Sequence, residues 1–192
     1  MPEIPSHHLI YGHLSDYLTG EALVDTDDER YRQGLSRLMV EERGYRREEL
    51  QPRRKIETLF ANNFVTSVIE LVVSLEGRRL LLLRYGPGSL VTRERPALAA
   101  ARVLEPEGVI PYAVVTNGRD AELLDTWSGK VMATGLAAIP SREQALSLLA
   151  TARFAPLPEG PQRQLELRIL NAYDQEVCCA GGPCALPQAR EG

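Results

Sequence analysis

Residues 64–85 read FVTSVIELVVSLEGRRLLLLRY. Valine, isoleucine and leucine fill both halves, and Glu70 is the only charge between Phe64 and Leu75. Glu76 and Gly77 supply a turn before a second apolar run, Leu80 to Leu83. Two such runs around a turn predict a hairpin of two central strands. Its register decides the fate of Glu70. A two-residue turn at Glu76 and Gly77 sets Glu70 opposite Leu83, whereas an odd-length loop with a bulge sets it opposite Arg84. The second arrangement lets Glu70 and Arg84 form a buried ion pair.

Upstream, Thr26 and Glu29 have the spacing of a capping box, and Tyr31, Leu35, Leu38 and Met39 recur at helical spacing until Gly44. The stretch from Arg43 to Lys55 carries Arg43, Arg46, Arg47, Arg53, Arg54 and Lys55 against only Glu48 and Glu49, and half of it reads as a strand. Residues 1–20 mix prolines, glycines and histidines without a sustained apolar period and read as an irregular arm. Downstream, Gly86 to Gly88 break the chain, and the Ala-rich segment Pro96 to Leu104 predicts a helix. Val109 to Thr116 predicts a strand closed by Asn117 and Gly118, and Ala121 to Trp127 with Val131 and Met132 a last strand pair. Ser141 and Gln144 form a second capping box, opening a helix through about Arg153. After a Pro-rich link, Leu165, Ile169, Tyr173 and Val177 fall four apart and predict a final helix. The order is helix, three strands, helix, strand, strand, helix, helix. It divides as an arm (1–20), an α/β domain (21–155) and a linker, helix and Cys-containing tail (156–192).

The chain has 192 residues with a net charge of -4, so no global charge drives it toward nucleic acid, and any such binding has to be local. Of its 22 basic residues only Lys55 and Lys130 are lysines, a bias that suits bidentate contacts to phosphate or carboxylate. No apolar run reaches the ~18 residues of a membrane span, and the first twenty residues lack the apolar stretch of a signal peptide. The expectation is a cytoplasmic protein with no membrane contact. Cys178, Cys179 and Cys184 cluster near the C-terminus, a set that reads either as reduced thiols or as a zinc site. The zinc reading needs a fourth ligand, from His7, His8 or His13. The break Tyr85-Gly86-Pro87-Gly88-Ser89 lacks the Gly-Lys-Ser/Thr ending of a phosphate loop, so no nucleotide cofactor is expected.

Four segments, taken together, carry a family resemblance. They are Tyr31-Arg32-Gln33 with Leu38 to Tyr45, Val68 to Val73, Leu80 to Leu83, and Tyr112 to Gly118. In order and spacing the chain from about Asp25 to Gly135 resembles the nuclease-type N-terminal domain of type I restriction enzyme R subunits. The resemblance implies a restriction-endonuclease-like αβββαβ mixed sheet flanked by helices, of the PD-(D/E)XK type, here followed by a helical C-terminal extension. In that type an acid on one strand and a Glu-x-Lys on the next hold Mg²⁺ or Mn²⁺ for phosphodiester hydrolysis, because hard cations prefer carboxylate oxygen.

Aligned by the hairpin, the first acid falls on Glu70, the second on Leu82 and the lysine on Arg84. The implied roles are metal ligation by Glu70, phosphate or transition-state contact by Arg84, and an extra helix acid at Glu29 or Asp28. Leucine cannot ligate a metal and arginine is too basic to carry a proton at neutral pH, so the motif is degenerate. The expected function is a DNA-binding, nuclease-superfamily domain with lost or weakened hydrolysis. Arg53, Arg54 and Lys55 with Arg93 and Arg95 are the candidate phosphate contacts. The same Arg53-to-Lys55 charges also fit an edge strand protected against aggregation. The competing class is a noncatalytic protein that binds a protein partner, a second copy of itself, or a metal through the cysteines.

Overall fold

The computed structural model describes residues 10–86 and 88–179. Strands β1 (Ile10–Ser15) and β2 (Ala22–Thr26) form an antiparallel hairpin that leads directly into helix α1 (Asp27–Arg37). The Thr26 hydroxyl accepts the Glu29 amide at 3.2 Å, and Asp27, Asp28 and Glu29 fill the first turn, where the helix dipole favours negative charge. A π-helical turn, Leu38–Glu42, extends α1. Strands β3 (Leu50–Phe60), β4 (Asn63–Leu75) and β5 (Arg78–Tyr85) follow, then α2 (Val91–Val103). Strands β6 (Tyr112–Thr116), β7 (Ala121–Asp125) and β8 (Val131–Thr134) lead to α3 (Arg142–Thr151) and α4 (Pro161–Cys179). No helix among the described residues is long and apolar enough to cross a membrane.

The six strands β3 to β8 lie in chain order in one sheet. Every neighbouring pair is antiparallel except β5 and β6, which run parallel because α2 carries the chain back across the sheet. Ala61 with Asn62 and Glu76 with Gly77 adopt positive φ at both central turn positions, the twist that suits two-residue hairpins. Val72, Leu82, Ala113 and Val115 face α2 and α4, whereas Leu71, Val73, Leu83 and Val114 face α1 and α3. The middle of the sheet is thus buried on both sides, which accounts for the nearly continuous apolar runs of β4 to β6, whereas the edge strand β8 is exposed.

Three segments differ from the sequence reading. The arm contains β1, and the register shift at Gly12 (φ 124°) shows that this glycine makes a bulge within a hairpin. Asp16 closes that hairpin, its carboxylate accepting the Leu18 and Thr19 amides at 2.9 and 2.7 Å. Helix α2 starts at Val91, so Pro96 lies inside it, the first turn being closed by the Leu90 carbonyl instead. In α4 the buried residues include Glu166, Leu170, Asn171 and Asp174, while Leu165 is 53 % exposed. The inward stripe is rotated from the expected one because arginines wait beneath it.

Candidate functional site

Between Leu75↔Arg78 and Val73↔Leu81 the β4–β5 register slips by one residue. A two-residue turn and a bulge therefore coexist, and continuing the register past Leu71↔Leu83 sets Glu70 opposite Arg84. Leu82 faces Val72 and is fully buried in the core under α2. On its other side Glu70 lies opposite Arg53, since Pro52↔Leu71 and Arg54↔Ile69 flank that position. Arg53 adopts a left-handed φ of 54°, a conformation that costs a non-glycine residue about 1 kcal/mol or more. Here the pleat changes face: Ile69 and Leu71 belong to opposite sides of the sheet, as do Ile56 and Leu50.

Glu70 is 7 % exposed and accepts the Tyr85 amide at 3.0 Å, capping the ladder where backbone pairing with β5 ends. Burial pushes its carboxyl above the usual glutamate range, and the Arg84 charge, the Tyr85 amide and the Arg32 charge oppose that push. Arg84 forms its ion pair with Asp174 of α4, through bonds of 3.0 and 3.4 Å. The closing of the charge across the sheet thus comes from the C-terminal helix, where the sequence reading had Glu70.

Glu29 is buried and receives Arg32 at 2.8 Å, Gln33 at 2.9 Å and Arg53 at 3.3 Å. Arg53 also binds Asp16, which Gln33 reaches at 3.0 Å. Burial alone would raise the Asp16 carboxyl, but hydrogen bonds from Arg53, Thr19 and Gln33 outweigh it and bring it down to about 2. Asp28 is exposed. Glu29 is therefore one acid in an arginine-rich network linking the N-terminal hairpin, α1 and β3.

The donors around Glu70 do not fit Mg²⁺ or Mn²⁺. One carboxylate, faced by the Arg84 guanidinium where a second acid is needed and adjoining a core leucine at position 82, offers a hard cation too few oxygens and the wrong charge. Among the described residues no group of three or more His, Cys, Asp or Glu is arranged to hold a metal. Cys178 and Cys179 end α4, and Cys184 lies outside the described residues.

The remaining candidate phosphate contacts are distributed over different partners. Arg54 binds Glu105 at 3.0 Å, and Arg79 joins the same carboxylate. Arg95 binds Glu166 at 2.7 Å, and Arg102 binds its other oxygen at 2.9 Å. Arg93 lies 5.3 Å from the Tyr173 ring centroid and packs on Gly86. Lys55 is exposed. Sequence reasoning missed Asp16, Glu166 and Asp174, whose ion partners are distant in sequence, and the Arg32–Glu29 pair within α1. It also missed a groove of about 720 Å³ between α1 and the ends of β5 and β6. There Tyr31 stacks on Tyr85, with ring centroids 3.5 Å apart.

Comparison with known proteins matches the family described as type I restriction enzyme R protein N terminus (HSDR_N), over residues 27–140. No match is found among curated proteins or among solved structures. The match opens at α1 and closes before α3, so it takes in the whole sheet with Glu70 and Arg84 and leaves out α4. The chain belongs to the type I restriction enzyme R protein N-terminal family.

Proposed function

We propose that this chain is a member of the family that contacts DNA in the cytoplasm without hydrolysing it, its PD-(D/E)XK locus having become a structural centre. The observation that carries the reading is Arg84, held by Asp174 and set opposite Glu70 while Leu82 is part of the core. A guanidinium there supplies permanent positive charge without a coordination site, so neither Mg²⁺ nor Mn²⁺ enters the chemistry. Family membership supports DNA as the partner. Most of the arginines singled out above answer to carboxylates of the chain itself, and the affinity expected is weak and steeply salt-dependent.

The test is incubation of supercoiled plasmid and single-stranded DNA with the protein and Mg²⁺ or Mn²⁺, beside Glu70→Ala prepared identically. Both proteins are expected to give the same background. Metal-dependent cutting that disappears in the variant overturns the reading.

A second reading, a noncatalytic protein-interaction module, has its own support. Leu59 and Phe64, paired across the tip of the β3–β4 hairpin, are 65 % and 54 % exposed. Absence of DNA binding at low salt favours this second class, which also accommodates a homo-oligomer or zinc held by the cysteine tail.

A further inference from the structure

The groove between α1 and the sheet lies over the carboxyl ends of β5 and β6, the parallel pair of the six-stranded sheet, at Tyr85 and Thr116. In α/β folds this is where ligands gather. Its volume, about 720 Å³, lies in the range of small-molecule sites, roughly 300 to 1,000 Å³. One wall is apolar, with Leu35, Leu38 and Ile139. The other features are an aromatic plane and a cation left over once Arg30, on the same rim, is taken by Asp25.

The plane is Tyr31. It lies on Tyr85 at an interplanar angle of 23°, donates its hydroxyl proton to the Asn117 carbonyl at 3.0 Å, and stays 38 % exposed. A Cβ at Gly118 would collide with its hydroxyl, so the glycine lets the ring seat against the strand end. Tyr31 is therefore fixed from below and at its tip, with ring surface left over. The cation is Arg43. Its Nη2 donates to the Leu136 carbonyl at 2.9 Å, its buried Nε has no acceptor, and no ion pair of the described residues includes it. That separates it from Arg53, Arg54, Arg84, Arg95 and Arg102, each of which meets a carboxylate.

We propose that this groove binds an unpaired nucleotide, its base stacked on Tyr31 and its phosphate taken by Arg43. The inference rests on the nucleic-acid reading above and names the form of nucleic acid. A base inside a duplex has both faces covered by its neighbours, whereas an unpaired base has a π-face to offer. Asp27 and Glu42 on the same rim repel additional phosphates, which limits the site to one nucleotide and leaves the stacking plane to select it.

The test uses the full chain with a short fluorescent single strand carrying one 2-aminopurine, and with the same sequence as a duplex. The single strand is expected to bind at least about tenfold more tightly than the duplex, with 2-aminopurine emission quenched on binding. Tyr31→Leu, which keeps an apolar wall but removes the plane, is expected to weaken binding about tenfold and abolish the quench. Tyr31→Phe is expected to retain both. Arg43→Gln is expected to weaken binding several-fold and flatten the salt dependence by about one phosphate contact.

Equal affinity for single strand and duplex overturns the inference, as does single-strand binding that Tyr31→Phe, Tyr31→Leu and Arg43→Gln all leave unchanged. DNA binding that ignores these substitutions removes the groove and leaves the non-hydrolysing reading standing. Glu70-dependent cutting removes that reading and leaves the groove.

Discussion

Two arginine positions on opposite sides of the sheet meet opposite fates. Beneath α4, Arg84, Arg95 and Arg102 come from β5 and α2 and meet Asp174 and Glu166, acids buried on the inward stripe of the last helix. Across the sheet, where Arg32, Arg53 and Arg142 also meet acids, Arg43 follows the π-helical turn and among the described residues finds a carbonyl but no carboxylate. The residue type is the same, yet the first set is spent on holding the fold while Arg43 is left with its charge. A basic residue in the sequence signals a charge, and only the tertiary partner tells whether that charge is available to a ligand. The acids that silence the first set belong to a helix outside residues 27–140, the segment shared with the family.

The comparison is broken most severely by Asp174→Ala. It strands Arg84, which is nearly buried, and is expected to cost about 3 to 5 kcal/mol in denaturant unfolding. Adding Arg84→Leu should recover most of the loss, because a well-packed apolar residue replaces a buried ion pair at little cost. If Asp174→Ala proves neutral, the clamp on this side is not structural.

Asp16→Asn comes next, at about 2 kcal/mol near neutral pH, through weakened bonds to Arg53. The wild-type carboxyl titrates at about 2, below its unfolded value, so its contribution is full above the unfolded range and disappears as pH falls toward 2. Unfolding curves between pH 2 and 6 should therefore converge for the two proteins at the acid end.

Glu70→Gln carries the opposite sign. A carboxyl raised in the folded state loses stability as pH climbs from the ordinary glutamate range upward, and glutamine keeps an acceptor for the Tyr85 amide without that loss. The variant should match the wild type near pH 4 and equal or exceed it by up to about 1 kcal/mol at pH 8, as read from thermal melts. A wild type whose stability rises over that span relative to the variant contradicts the assignment. The smallest effect is that of Arg43→Gln, within about 0.5 kcal/mol in the same melts, since a partly exposed guanidinium with no ion partner among the described residues has little to hold.

Local signals were the readable ones. Thr26 with Glu29, Ser141 with Gln144 and the Glu76-Gly77 turn act over three or four residues, and each produced the element expected of it. The register at Glu70 was readable only as two alternatives. A bulge within a run of four leucines leaves no trace in composition, because each leucine fills the other's place. The phase of α4 was misleading for a related reason. Leu165, Ile169 and Tyr173 form a plausible apolar stripe, but what rotates Asp174 inward is an arginine 90 positions away in the chain. The aromatic pair Tyr31 and Tyr85 likewise joins α1 to β5 across the whole β3–β4 hairpin, so neither residue advertises the other.

The reach of α4 also sets the size of the smallest electroneutral unit. A fragment trimmed at residue 140, where similarity to the family ends, keeps Arg84, Arg95 and Arg102 and discards their counterions. It also uncovers Leu170's seat in the core and the Thr58 and Asn63 groups that Asn171 satisfies. Heredity and charge balance therefore draw different borders on this chain. A soluble fragment has to follow the second, which runs at least as far as Asp174.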